Sequence, residues 1–199
     1  MWNKKDFMEE GKKRVDIIIV VGPSGVGKST LVDKITVEVP LLFDAITYTT
    51  RPMRKGESEG SPYHFVSEEK FKDLIEKDFF VEWAYVHKRM YGTPRDQIDN
   101  AISNGRVVIM DVDVQGAKVF MEKYPNTLTV FVMPPSIDEL RHRIQKREKM
   151  SDEELAVRME SARREISLAS EFDCQIVNAD FATSYAQFKK IVEEVLKNR

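Results

Sequence analysis

The sequence predicts an α/β domain built on a central, mostly parallel sheet flanked by helices. Three observations carry that prediction. Short apolar runs alternate with helical patterns, the runs are almost unbroken in branched and aromatic residues, and a glycine-rich turn joins the first run to the first helix. At 199 residues there is room for one compact domain with small insertions. The hydrophobic fraction of 42%, a tenth of the chain being aromatic, supplies a core and excludes global disorder.

Taken in order, Asp16–Val21 is the first core strand, and the turn after it opens a helix near Lys28. Asp44–Thr47 is a short further strand. Thr93-Pro94 reads as a cap followed by proline at the first helical position, with Ile98, Ala101 and Ile102 as the apolar stripe and Asn104-Gly105 as the stop. Val107–Asp111, Thr127–Met133 and Cys174–Val177 complete the core strands, each apolar enough to lie between two helical layers. Ser136-Ile-Asp-Glu139, Ser151-Asp-Glu-Glu154 and Ser184-Tyr-Ala-Gln187 fit the capping box, in which side chains satisfy two orphan backbone donors. Behind the last of them Phe188, Ile191, Val192, Val195 and Leu196 recur at helical spacing and predict an amphipathic C-terminal helix.

Two stretches break the alternation. Residues 48–92 are polar, basic and aromatic, and read as an α+β insertion with strands at Tyr63–Val66 and Phe79–Tyr85 around a short helix after Ser67. Residues 137–165 are helical and rich in arginine, the composition of a mobile flap. The core is then 15–47, 93–136 and 166–199. Residues 1–14 form an N-terminal extension without an assigned role.

The charge balance narrows the function classes. With 31 Lys+Arg against 33 Asp+Glu, the net charge of −2 argues against a protein that coats nucleic acid or an anionic membrane. One cysteine makes no internal disulfide and no multi-cysteine zinc site, which fits a reducing compartment. The longest apolar run, Ile17–Val21, is far below the ~18 residues of a membrane helix, and residues 1–14 lack the apolar stretch of a signal peptide. A cytoplasmic protein, monomeric or homodimeric, is expected. His64, His87 and His142 lack metal-ligand spacing.

Gly22-Pro23-Ser24-Gly25-Val26-Gly27-Lys28-Ser29 matches G-x-x-x-x-G-K-[ST] in full, after a strand and before a helix. Glycines let the backbone N–H groups turn inward around a phosphate, and the helix N-terminus adds about half a positive charge. Lys28 suits the β/γ-phosphate oxygens, and the Ser29 hydroxyl suits Mg²⁺. The strand ending at Asp111 supplies a nearby carboxylate, although Asp113, two residues on, points to the same side of an extended chain.

Such a cradle fixes a donor such as ATP and leaves the acceptor open. Arg51 and Arg54 offer guanidinium forks for a second phosphate, with the hydroxyls of Tyr63 and Tyr91 to complete its hydrogen bonds. Glu82 interrupts the apolar run Val81–Ala84. Such a carboxylate either turns to solvent or meets a pair of adjacent donors, which the N1–H and N2–H₂ edge of guanine presents and adenine does not. Neighbouring Trp83 reads either as core or as a wall of the base site.

Together, Gly22–Thr30, Thr49–Glu57, Tyr63, Glu82-Trp83-Ala84, Tyr91-Gly92-Thr93, Asp111–Gly116 and the arginine-rich stretch closely resemble guanylate kinase, in order and spacing, from about residue 15 to residue 198. The resemblance implies a P-loop kinase fold with an inserted GMP-binding subdomain and a helical lid. It implies transfer of the γ-phosphoryl group of MgATP to GMP, and to dGMP, in purine metabolism. By that similarity Gly22–Thr30, Arg143 and Arg147 bind ATP. Thr47, Arg51, Arg54, Tyr63, Glu82, Tyr91, Thr93 and Asp113 bind GMP, while Ser29 and Asp111 hold Mg²⁺. Lys28, Arg51, Arg147 and Arg158 surround the transferring group, and Asn178 lies near the nucleotides. The sequence departs from the family pattern in Arg51-Pro52-Met53-Arg54, where the proline is displaced, and at Tyr48, where the family has a smaller residue.

Two rivals are weighed at this level, and the enzyme is preferred to the first. Guanylate-kinase-like binding modules carry degraded P-loops, whereas Gly27-Lys28-Ser29 is intact here. The nearer rival is a P-loop kinase for another phosphorylated acceptor, a different nucleotide or a sugar phosphate: Glu82 and Asp113 argue for guanine, and Tyr48 keeps that rival open.

Overall fold

The structure is a computed structural model that describes residues 14–54, 56–86, 88–147 and 149–199. The N-terminal extension and His87 fall outside the described residues, except for Arg14. Five strands form the central sheet: β1 (Ile17–Val21), β2 (Leu42–Asp44), β8 (Val107–Asp111), β9 (Thr127–Met133) and β10 (Cys174–Val177). Their order is β10-β9-β1-β8-β2, and every pairing is parallel.

Alternation along β1 shows why the sheet needs a helical layer on each side. Ile18 and Val20 pack with Leu31 and Ile35 of α1 (Lys28–Glu38) and with Phe188 and Val192 of α7 (Phe181–Lys197). Ile17, Ile19 and Val21 point the other way, toward Ile98 of α3 (Arg95–Ser103) and Ala117 and Phe120 of α4 (Val114–Lys123). All five β1 residues are fully buried, so the strand has no polar face and its carboxyl end is held rigidly. In an open parallel sheet that end is where ligands bind.

The insertion builds a second sheet from β3 (Thr47–Thr49), β4 (Ser58–Glu59), β5 (Pro62–Phe65), β6 (Phe80–Val86) and β7 (Arg89–Pro94), in the order β4-β5-β3-β7-β6. Phe71 and Leu74 of α2 (Glu68–Glu76) pack under it with Phe80 and Met90. The arginine-rich stretch forms α5 (Ile137–Arg147) and α6 (Asp152–Ser167).

Four local expectations are corrected. Asp44–Thr47 is not one strand: β2 ends at Asp44 in the central sheet, and β3 begins at Thr47 in the second. Thr93 and Pro94 are not a cap and first helical residue, because β7 pairing with β6 runs through Pro94, which becomes the N-cap in extended geometry. Ser184 does not cap the last helix. Asp180 does, accepting from the Thr183 N–H at 2.9 Å, while Ser184 lies one turn inside and fully buried. Trp83 is not core: it is 45% exposed, edge-on to Tyr85.

The capping box at Ser151 is complete, its hydroxyl accepting from the Glu154 N–H and the Glu154 carboxylate from the Ser151 N–H. Ser151→Ala removes one half of this exchange, a loss of about 1 kcal/mol. For a chain of this size it should lower the melting temperature by about 2–4 °C in calorimetry; an unchanged melting temperature would contradict the assigned role.

Candidate active site

The turn between β1 and α1 forms the floor of the site. Gly22, Gly25 and Gly27 adopt φ of 140, 85 and 103°, values that side-chain-bearing residues rarely take. Lys28, at the start of α1, curls back so that its ammonium donates to the carbonyls of Gly22 at 2.6 Å and Pro23 at 3.3 Å. Burial lowers its pKa, and the carboxylates of Asp111, Glu165 and Asp113 act against that, with Arg147 adding to it. Residues from the loop, the end of β8, the start of α4 and the helices α5 and α6 therefore share one electrostatic neighbourhood.

The Ser29 hydroxyl donates to Asp111 Oδ2 at 2.9 Å, which resolves which carboxylate stands beside the cradle. Asp113 has another task, capping α4 by accepting from the Gly116 N–H at 2.7 Å. Asp44 and Asp33, which no motif marks, are electrostatic neighbours of Asp111. Desolvation, then Asp111 and Asp33, push the Asp44 carboxyl up to about 7, although part of its side chain reaches solvent.

Across from the cradle, Arg51 donates to Glu57 Oε1 at 2.8 Å and to the Pro52 carbonyl at 2.8 Å. Glu57 Oε2 accepts from the Arg54 N–H at 2.7 Å, so one carboxylate ties both arginine positions into a single turn. The Arg51 guanidinium lies over the rings of Tyr63 and Phe65, at 5.4 and 5.5 Å. Tyr63 meets Tyr91 edge-on with ring centroids 5.8 Å apart. Burial, with Asp111 and Tyr91 beside it, raises the Tyr63 phenol far above its ordinary range, so it remains a hydrogen-bond donor. Thr47 pairs in register with Tyr63, whereas Tyr48 packs against His64, Phe79 and Phe80 in the insertion's aromatic cluster. The large residue at 48 is thus accommodated by the insertion's interior.

Glu82 is buried, at 8% exposure, and accepts from the Thr93 hydroxyl at 2.6 Å. An irregularity in the β6–β7 ladder between Phe80 and Glu82 buries Phe80, Val81 and Glu82 consecutively, where strict alternation would have exposed one of them. Glu82 Oε2 would lie 3.0 Å, and Asp113 Oδ1 3.4 Å, from a Cβ at Gly116, so the two carboxylates converge over a helical turn that only glycine leaves open. Burial and the nearby Asp113 push the Glu82 carboxyl up to about 7, against the opposing effect of Thr93 and Lys123.

The arginines of α5 and α6 differ in their surroundings. Arg143 donates to Glu139 at 2.8 Å and to the Asn178 carbonyl at 3.0 Å. Arg147 is exposed at the end of α5 and acts electrostatically on both Lys28 and Tyr63. Arg158 sits half-buried on α6. Ser24, within the turn, and Thr30, in the first turn of α1, have no side-chain bond to the other candidate residues among those described. Glu165 and Glu57 are additions to the sequence-derived set. Glu57 had a signal in Gly56-Glu57, but Glu165 is one acidic residue among many on a charged helix.

Comparison with known proteins matches the chain in both sequence and fold. The guanylate kinase family model matches residues 14–195. The guanylate kinase of Bdellovibrio bacteriovorus is 49% identical over 180 residues, covering 90% of this chain and 97% of that protein. That of a Nostoc species is 42% identical over 165 residues, 83% of each. The crystal structure of guanylate kinase from Anaplasma phagocytophilum superposes with a TM-score of 0.75 at 30% identity, over 92% of this chain and 86% of that one.

If Asp113 stands beside a desolvated Glu82, carboxyl-detected NMR should show Glu82 titrating near 7, and Asp113→Asn should move it down. A Glu82 that titrates with the surface glutamates, or that ignores Asp113→Asn, would contradict this arrangement.

Proposed function

The chain belongs to the guanylate kinase family, and from that premise we propose how its own residues carry the family's reaction. It is an ATP:GMP phosphotransferase: a GMP phosphate oxygen forms a bond to the γ-phosphorus of ATP while the bond from that phosphorus to ADP breaks. Phosphoryl transfer needs alignment, charge neutralisation and exclusion of water more than covalent chemistry, so no general base is assigned.

Gly22–Thr30 cradle the ATP phosphates, with the Lys28 ammonium leaving its loop carbonyls for the β/γ-phosphate oxygens. Arg51 and Arg54, aligned by Glu57, hold the GMP phosphate with Tyr63 and Tyr91. Glu82 and Asp113 read the guanine edge, with Thr47 and Thr93 beside them. Arg143, Arg147 and Arg158 close from the lid, where Arg147 and Arg158 face the transferring group. Residues 48–92 act as the GMP-binding subdomain and 137–165 as the lid. The observation that carries this reading is the electrostatic convergence of Lys28, Asp111, Asp113, Arg147 and Tyr63 from both sides of the cleft.

The oxygen-only pair Ser29–Asp111 fits Mg²⁺, which takes one or two protein oxygens and completes its shell with water and phosphate. When bound there, Mg²⁺ neutralises charge on the ATP phosphates. The site of action we propose is the cytoplasm; among the described residues no helix is long and apolar enough to cross a membrane.

ADP release with MgATP and each nucleoside monophosphate in turn is expected to be strong with GMP and weak with AMP, CMP and UMP. Lys28→Ala should lower kcat on the order of 10²-fold or more. Glu82→Gln should lower kcat/KM for GMP by a similar order, because a donor then faces the guanine donors. Equal turnover of AMP and GMP would refute the guanine assignment.

GMP binding needs ionised Glu82, and its pKa is raised to about 7. The free site therefore holds a proton below that pH, and binding must expel it. KM for GMP should stay flat above pH 7 and climb about tenfold per unit below it. Glu82→Gln should remove that limb, leaving only the titration of the GMP phosphate near 6. A wild-type profile identical to that of Glu82→Gln would contradict the role.

A further inference from the structure

Asn178 follows β10 and is 6% exposed, in contact with four separate parts of the molecule. Its side-chain Nδ2 donates to the Val26 carbonyl at 2.8 Å, and its Oδ1 accepts from the Ser184 hydroxyl at 2.7 Å. Its main-chain N–H donates to the Met133 carbonyl at 2.8 Å, and its carbonyl accepts from Arg143 at 3.0 Å. The amide cannot be reversed at no cost. The Val26 carbonyl is an acceptor only, so the flipped amide would set two acceptors against each other in a buried site. Ser184, fully buried one turn into α7, can also reach the Phe181 carbonyl at 3.1 Å, but its single proton has the shorter contact to Asn178.

We propose that Asn178, oriented by Ser184, is a positioning residue for ATP: it pins the Val26–Gly27 peptide so that the cradle is set before the phosphates arrive. In a trans peptide the C=O and the following N–H point in opposite directions. Holding the Val26 oxygen at Asn178 aims the Gly27 N–H away from it, as a phosphate-binding turn requires. The fit is close enough to dictate the residue at 27, since a Cβ there would stand 2.5 Å from Asn178 Nδ2. Through its carbonyl, the same residue ties lid helix α5 to the cradle. An apolar side chain in this place could fill the space but could not fix the direction of the peptide.

This inference rests on reading Gly22–Ser29 as the ATP cradle, and equilibrium binding separates the two. MgATP and GMP are each titrated alone, by calorimetry, into the wild-type protein and into the Ser184→Ala, Asn178→Ala and Asn178→Asp variants. Asn178→Ala should weaken MgATP by about tenfold and leave GMP within about twofold. Asn178→Asp, which sets an acceptor against the Val26 carbonyl, should be worse than Asn178→Ala, and Ser184→Ala should weaken MgATP by a few fold. A merely structural role would lower the melting temperature without changing the ratio of the two affinities, and that result overturns the proposal. If the Asn178 variants do not fold, Ser184→Ala decides: a changed ratio supports the proposal and an unchanged ratio overturns it. A wild-type protein that does not bind MgATP overturns both the cradle and the positioning role, whereas wild-type binding with wild-type-like variants overturns only the latter.

Discussion

The Lys28 ammonium, half-buried and held on the carbonyls of its own loop, is the constraint around which the rest of the structure is arranged. Carbonyl dipoles offset only part of the cost of taking a charge out of water, and burial lowers its pKa accordingly. The group is therefore poised for an anion brought from outside, which restores the full charge pairing that the loop lacks. Placing such a charge at one spot demands a rigid floor. A fully buried β1 with helices on both faces provides it, and the cradle then emerges at the carboxyl end of the sheet.

The acceptor side answers the same constraint with the opposite sign. Two cationic positions are gathered by one carboxylate, Glu57, so that Arg51 is oriented before any phosphate arrives. Beyond them, Glu82 is a desolvated carboxylate with Asp113 beside it, costly to keep ionised without further donors. On the proposed assignment guanine supplies those donors and adenine does not, so selectivity for the base and affinity for phosphate come from the same physics: a partly desolvated charge that the correct substrate completes.

Much of this was legible in the sequence because it is written in local patterns. The uninterrupted runs 17–21, 107–111, 127–133 and 174–177 gave the sheet, and Gly22–Ser29 gave the tight turn that joins β1 to α1. What escaped depends on contacts distant in the chain. The split between β2 and β3 has no local mark, since each is three residues long and is defined by its sheet partner. Ser184 matched a capping spacing, but Asn178 competes for its hydroxyl and Asp180 takes the cap. Thr93 looked like a cap residue because the ladder with β6 and the bond to Glu82 cannot be seen in a dipeptide. The raised pKa of Glu82 likewise arises from a ladder irregularity and from Asp113, thirty-one positions later.

The central claim is that donor and acceptor phosphates meet across Lys28 in one continuous cleft. Calorimetric titration with adenosine and guanosine joined 5′–5′ through a polyphosphate chain tests it most directly. Binding of one molecule per chain, more tightly than either mononucleotide and blocked by ATP and by GMP alike, is the predicted result. Two molecules per chain, or competition from only one of the mononucleotides, would contradict a shared cleft.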